Sequence, residues 1–146
     1  MQIEIRIDEN CKEPKIIIFA DAMSSEVNAI VKKLSEEELP MIAGFKDEAV
    51  ELLEPDAIYR IFSSDGKVLA ETERGVFTIR LRLYEVEERL DDRKFLRISN
   101  SELINLKKVK SFDLSFAGTI CVSLLSGTVT YASRRYVSKI KQTLGI

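Results

Sequence analysis

From residue 41 to residue 131 the chain is a succession of short apolar runs cut by turn residues, and this rhythm restricts the fold more than any other feature. Met41–Phe45, Ala49–Leu53, Ile58–Ser63, Lys67–Thr72 and Val76–Arg80 each have the length and punctuation of a strand. Asp65-Gly66, between two of them, is a dipeptide suited to a two-residue hairpin turn. Further on, Phe112, Leu114 and Phe116 alternate with small or polar neighbours within Val109–Phe116, and Ala117-Gly118 turns the chain. Ile120, Val122 and Leu124 alternate again. After Ser126-Gly127, Val129 and Tyr131 complete a three-strand meander. The pattern predicts an α+β protein that is mostly antiparallel β.

Three helices interrupt it. Near 24–37, Val27, Ile30, Val31 and Leu34 fall at i, i+3, i+4 and i+7, with N-cap candidates in Asp21–Ser25. Glu36–Glu38 oppose the macrodipole at its end, which predicts fraying, and Pro40 stops it. Leu83, Val86 and Leu90 mark a helix near 83–91, supported by a Glu85–Arg89 pair at i, i+4. The last helix, near 134–143, has Ser133 as N-cap, Val137, Ile140 and Leu144 as its apolar stripe and Gly145 at its C-terminus. Before the first helix, Ile3, Ile5 and Ile7 alternate with charges as in a half-buried strand, and Ile16–Phe19 reads as a buried one. Residues 1–43 are therefore expected to form a small acidic β-β-α unit, and 44–146 the main domain. Asp21 follows an apolar run as a receiver aspartate would, but the unit is far too short for a receiver fold.

The composition narrows the function. At 146 residues with 45% hydrophobic and 32% charged residues, the chain suits one globular domain with a small annex. No apolar run approaches the ~18 residues of a membrane span, and MQIEIRIDEN lacks the apolar core of a signal peptide. The expected location is cytoplasmic, with Cys11 and Cys121 as reduced thiols. The chain contains no His, so it has no Ser-His or Cys-His pair and no imidazole metal ligand. Glu71 and Glu73 read as surface charge, and no Gly-rich phosphate loop occurs. The expectation is a non-enzyme without cofactor, metal or small-molecule substrate. Charge separates along the chain: residues 1–55 hold 6 Lys/Arg against 13 Asp/Glu, residues 56–146 hold 16 against 11, and the stretch from Arg97 onward holds 8 against 2. The C-terminal part thus carries a cationic footprint suited to a polyanion.

Within that part, Phe95–Leu106 (FLRISNSELINL) places Ser99, Asn100 and Ser101 between two apolar runs, with Arg97 before and Lys107–Lys108 after. Such a loop can serve as a solvated hairpin turn. It also suits nucleic acid, because Asn pairs with adenine in a bidentate way and Arg and Lys hold phosphate. Arg134 and Arg135 stand in the first turn of the last helix, where the macrodipole disfavours cations. An anion bound there accounts for them; so would carboxylates reached elsewhere on the fold.

LRLYEVEERLDDRKFLRISNSELINLKKV, the meander, and SGTVTYASRRYVSKIK resemble the LytTR family of bacterial DNA-binding domains over roughly residues 44–146. The ordered parts are a helix ending in acids, an F-x-R-x-x-N/R-S stretch, an I-N-L step, an aliphatic meander and a terminal S-R-x-Y. The resemblance implies a mostly β fold that places loops, not a recognition helix, into successive major grooves of double-stranded DNA. It points to Asn100 and Arg135 for base contacts, with Arg97, Ser101 and Lys139 as phosphate neighbours and Ser99 and Arg134 beside them. A His common in the family's early strand–strand loop has no counterpart in Ser64-Asp65-Gly66-Lys67; Lys67 is the replacement this chain offers.

Better-known members carry a phosphoreceiver. Here only the acidic unit precedes the domain, as in compact stand-alone regulators often encoded beside a small membrane protein. The implied function is transcriptional regulation in a response-regulator-like manner, by a homodimer on promoter repeats, under control of a membrane-protein partner. Residues 1–43 would supply the dimer contact or mask the basic face. The competing reading is a protein-interaction module whose acidic unit is the active part and whose basic face is incidental.

Overall fold

The computed structural model describes residues 1–35 and 41–146, and the chain divides into two compact units, Met1–Glu38 and Leu39–Ile146. In the first unit, α1 spans Ser25–Ser35. Ser24 caps it, its Oγ accepting from the Val27 N–H at 3.2 Å. Glu36–Glu38 and Pro40, where fraying is expected, lie outside the described residues.

The two strands expected before α1 do not form. Residues 1–24 contain no helix or strand, and Ile3, Ile5 and Ile7 are 80–91% exposed. Alternation creates one apolar edge but supplies no neighbour, and a strand exists only where another segment completes its hydrogen-bond ladder. Within this stretch the Cys11 N–H donates to the Asp8 carbonyl at 3.1 Å. That closes a local turn without bringing Ile3–Ile7 onto Ile16–Phe19.

The second unit is an antiparallel α+β domain, as the turn-punctuated pattern predicts. Its strands are β1 (Ile42–Lys46), β2 (Ala49–Leu53), β3 (Ile58–Ser64), β4 (Lys67–Thr72), β5 (Gly75–Ile79), β6 (Phe95–Ser99), β7 (Glu102–Asn105), β8 (Val109–Asp113), β9 (Cys121–Leu124) and β10 (Val129–Tyr131). The first seven form one sheet in the order β2-β1-β5-β4-β3-β7-β6, and the last three a second sheet in the order β10-β9-β8. Helix α2 (Leu83–Arg89) lies between β5 and β6 in sequence, and α3 (Arg134–Leu144) closes the chain.

Two cores cover the two faces of the large sheet. Ile58, Ile61, Phe77, Phe95 and Leu103 join Leu83, Val86 and Leu90 of α2 in one core. Tyr59, Leu96 and Ile104, each the chain neighbour of a residue in the first core, join Ile120, Val122 and Leu124 of the small sheet and Ile140 of α3 in the other. The period of two along a strand is what splits these neighbours between faces. All four residues of β7 are buried, because it lies inside the large sheet with both faces covered.

Two local expectations are corrected. Leu114 and Phe116 do not continue the inward alternation of Phe112; they are 48% and 46% exposed. The strand ends at Asp113, whose Oδ1 accepts from the Ser115 N–H at 2.9 Å and from its hydroxyl at 2.6 Å. That Asx turn redirects the chain before the alternation can continue. Phe116 instead meets Tyr131 edge to face at 5.9 Å. Glu85 does not pair with Arg89: it accepts from the Arg82 N–H at 3.1 Å and caps α2, satisfying an otherwise orphaned donor.

Candidate nucleic-acid interface

The β3–β4 hairpin turns at Asp65-Gly66, where both residues have positive φ, 52° and 74°, the mirror-image turn that glycine favours. Lys67 stands exposed just after it. The Ser63 N–H donates to the Ser101 carbonyl at 2.8 Å, so this hairpin and the β6–β7 loop leave the sheet side by side. Sheet topology thereby brings Lys67 and Ser99–Ser101 to one end of the domain.

The β6–β7 loop is held from within. Ser99 Oγ lies 3.2 Å from Ser101 Oγ and accepts from the Ser101 N–H. Arg97 donates from Nε to the Ser99 carbonyl at 2.7 Å and from Nη2 to the Asn100 carbonyl at 2.6 Å. Its third branch reaches Glu87 on α2 at 3.3 Å, and the side chain is only 16% exposed. Arg97 is therefore a brace for the loop, with three of its five N–H donors given to protein acceptors.

Helix α3 is joined to the same loop. The Ser133 N–H donates to the Ile98 carbonyl at 2.9 Å, which docks the start of α3 on β6. The Tyr136 hydroxyl then donates to Asn100 Oδ1 at 2.9 Å. Asn100 is exposed; its amide keeps two N–H donors and a second Oδ1 lone pair for another partner. Ser133 occupies the N-cap position, but its hydroxyl makes no capping bond. Arg134 and Arg135 are both exposed there. Arg134 lies over Gly118, where an added Cβ would come within 3.0 Å of its Nε. Arg135 stands 5.9 Å from the Tyr136 ring. One turn on, Lys139 lines a cleft with Glu87, Asp91 and Arg97.

The loop-bearing strands are tied to the small sheet by a charged cluster. Arg60 on β3 donates to Glu71 at 2.7 Å and to Glu102 at 3.0 Å. Thr128 and Ser126 also donate to Glu71, and Thr130 to Glu102. Burial pushes the Glu71 carboxyl up, but hydrogen bonds from Thr128, Arg60 and Ser126 outweigh it and hold the group below the usual carboxylate range. Burial dominates at Glu102, whose carboxyl lies above that range, and its Oε2 is buried with no partner. Glu71 is therefore one half of a sheet-to-sheet tie, not the surface charge expected from the sequence. Asn105, the centre of the I-N-L step, is fully buried and donates to the Ile58 carbonyl at 2.9 Å; that motif builds the fold and does not face a ligand.

Of the residues singled out in the sequence, the structure brings Ser99, Asn100, Ser101 and Lys67 to one end of the sheet and links Asn100 to the first turn of α3, which carries Arg134 and Arg135. Tyr136 and the Glu87 end of the Arg97 brace were not singled out. Their partners lie 36 and 10 residues away, and no local pattern marks such pairs.

This is a two-sheet, loop-presenting scaffold whose C-terminal half is basic. Residues 48–145 match the family model of the LytTr DNA-binding domain, and the chain belongs to that family, whose members are DNA-binding regulators. It is similar to an HTH-type transcriptional regulator of Staphylococcus aureus strain NCTC 8325, with 30% identity over the whole of this chain and 99% of that protein. The counterpart in strain MRSA252 is 29% identical over the same span. A solved LytTr DNA-binding domain from Bacillus cereus has the same fold, with a TM-score of 0.70 and 20% identity, covering 73% of this chain and 97% of that one. Among the described residues no helix is long and apolar enough to cross a membrane.

Proposed function

We propose that the domain of residues 44–146 reads base sequence in double-stranded DNA through two neighbouring elements, the Ser99–Ser101 loop and the first turn of α3, set into the major groove. The observation that carries this reading is the Tyr136–Asn100 hydrogen bond at 2.9 Å. It fixes an exposed amide beside two exposed arginines, and a fixed amide is what bidentate recognition of adenine requires. Asn100 and Arg135 take base edges. Ser101, Arg134, Lys67 and Lys139 take phosphate and set the register, and Arg97 holds the loop in shape. One domain offers few base contacts, so two copies act on repeated half-sites, where the second binding event becomes local. Control comes from a protein partner, a membrane protein in the cell.

The test is selection of random double-stranded DNA by the full chain. Enrichment of one repeated motif, with affinity falling steeply as salt rises, is the expected result. Absence of binding even at low salt would transfer the function to the competing reading, a protein-interaction module with an incidental basic face.

A further inference from the structure

Several apolar residues of the first unit stand exposed in the described chain. Ile3, Ile5, Ile7 and Phe19 are 82%, 80%, 91% and 93% exposed. Solubility selects against such a row unless something covers it. The sequence around Ile5 says what fits. Ile3-Glu4-Ile5-Arg6-Ile7 is self-complementary when two copies run antiparallel with Ile5 facing Ile5. Ile3 then stands across from Ile7, and each Glu4 across from the partner's Arg6. Glu4 and Arg6 already meet within one chain at 2.8 Å, at 73% and 86% exposure, so both heads stand at the same exposed edge.

Other pairings lose this match. Parallel pairing in register sets Glu4 on Glu4 and Arg6 on Arg6. Pairing with Ile16–Phe19 offers no charge to meet either residue. Directly opposed like charges destabilise a strand pair and opposite charges stabilise it, so charge selects a second copy of this chain in antiparallel orientation.

We infer that residues 3–7 of two copies pair as antiparallel strands about Ile5, making a two-fold symmetric dimer contact. The inference rests on the proposed two-copy binding to DNA and names the surface that joins the copies. The segment becomes a strand on dimerisation, when each backbone supplies the other's ladder. A bare two-stranded ribbon is marginal. Its six-isoleucine face is therefore covered by apolar groups of the same units that are also exposed, among them Phe19 and Leu34. The contact is isologous and closes at two copies.

The experiment is sedimentation of the full chain, off DNA and on a DNA repeat. Wild type is expected to dimerise off DNA. Glu4→Arg alone or Arg6→Glu alone turns both cross-strand pairs repulsive and should weaken dimerisation about tenfold. An equimolar mixture of the two variants restores both attractions and should recover wild-type affinity as a heterodimer. Ile5→Cys in a Cys11→Ser background should cross-link rapidly under mild oxidation. Glu4 and Arg6 bond to each other in the described chain, and the unfolding transition of residues 41–146 should be unchanged in the variants. Single variants that dimerise like wild type, or a mixture that does not recover, would overturn the inference. If those variants still bind the repeat as two copies, the two-copy reading survives and only this surface is refuted. If wild type is a monomer off DNA and binds the repeat as a single copy, both fall. A first unit occupied by a different protein in place of a second copy also overturns the inference.

Discussion

Tyr136 is the residue on which the proposed readout turns. Its ring packs with the second core, while its hydroxyl ends on Asn100. Tyr136→Phe keeps the packing and removes the link. The expected outcome is a small stability change, about 0.5–1.5 kcal/mol, reduced preference for the selected site and unchanged affinity for random DNA; binding assays on both DNAs check it. Arg97 separates two roles in the same way. A brace differs from a phosphate contact, so Arg97→Ala should cost about 1.5–3 kcal/mol of stability in urea unfolding. It should blur the site preference while leaving the slope of affinity against salt in place. Loss of a phosphate contact would instead reduce that slope by about one. The sequence marked Arg97 as a cation near a polar loop. It could not mark the two carbonyls that take up its donors, because these converge only once the loop backbone has turned. The places of Asn100 in a polar loop and of Arg135 in the first turn of the last helix were legible; the Tyr136–Asn100 link was not, since a contact across 36 residues follows from the docking of α3 on β6.

Strands were legible at the scale of elements wherever the chain supplied a partner within reach. Asp65-Gly66 gave the β3–β4 hairpin its place because a two-residue turn leaves one register. Ile3–Ile7 has equally clear alternation and fails, because alternation names a face but not a neighbour. Leu114 and Phe116 fail for another reason: the side chain of Asp113 captures the backbone and ends β8. The tie between the two sheets also escaped the sequence, since Arg60, Glu71 and Glu102 lie on three strands. Its two carboxylates should respond to pH with opposite sign. Glu102 lies above its unfolded value, so the folded state binds the proton more tightly there. That contribution is complete in acid and is lost as pH rises through the raised value. Glu71 lies below its unfolded value, so its contribution is present at neutral pH and is lost as pH falls through the lowered one. In urea unfolding across pH, Glu71→Gln should destabilise at neutral pH and little in acid. Glu102→Gln should compare worst with wild type in acid and improve as pH rises. Parallel pH profiles for the two variants would contradict this assignment.

As a whole the molecule segregates its charge: 13 of its 24 acidic residues lie in the first 55 positions, and 8 of its 22 basic residues lie from Arg97 onward. The near-neutral total hides a basic surplus in the C-terminal part of the sequence, which holds 2 acidic residues from Arg97 onward. The family, the fold and the neighbouring loops define a LytTR DNA-binding domain; the central claim beyond that is direct base readout by Asn100 and Arg135. It is tested most directly by measuring, for Asn100→Ala and Arg135→Ala, the ratio of affinity for the selected site to that for random DNA. Lys67→Ala serves as the phosphate control, and melting curves confirm that each variant folds. The account predicts a loss of ~1–3 kcal/mol against the selected site for each readout variant and little change on random DNA. Lys67→Ala should weaken both alike. Folded Asn100→Ala and Arg135→Ala variants that keep the wild-type ratio would contradict the readout.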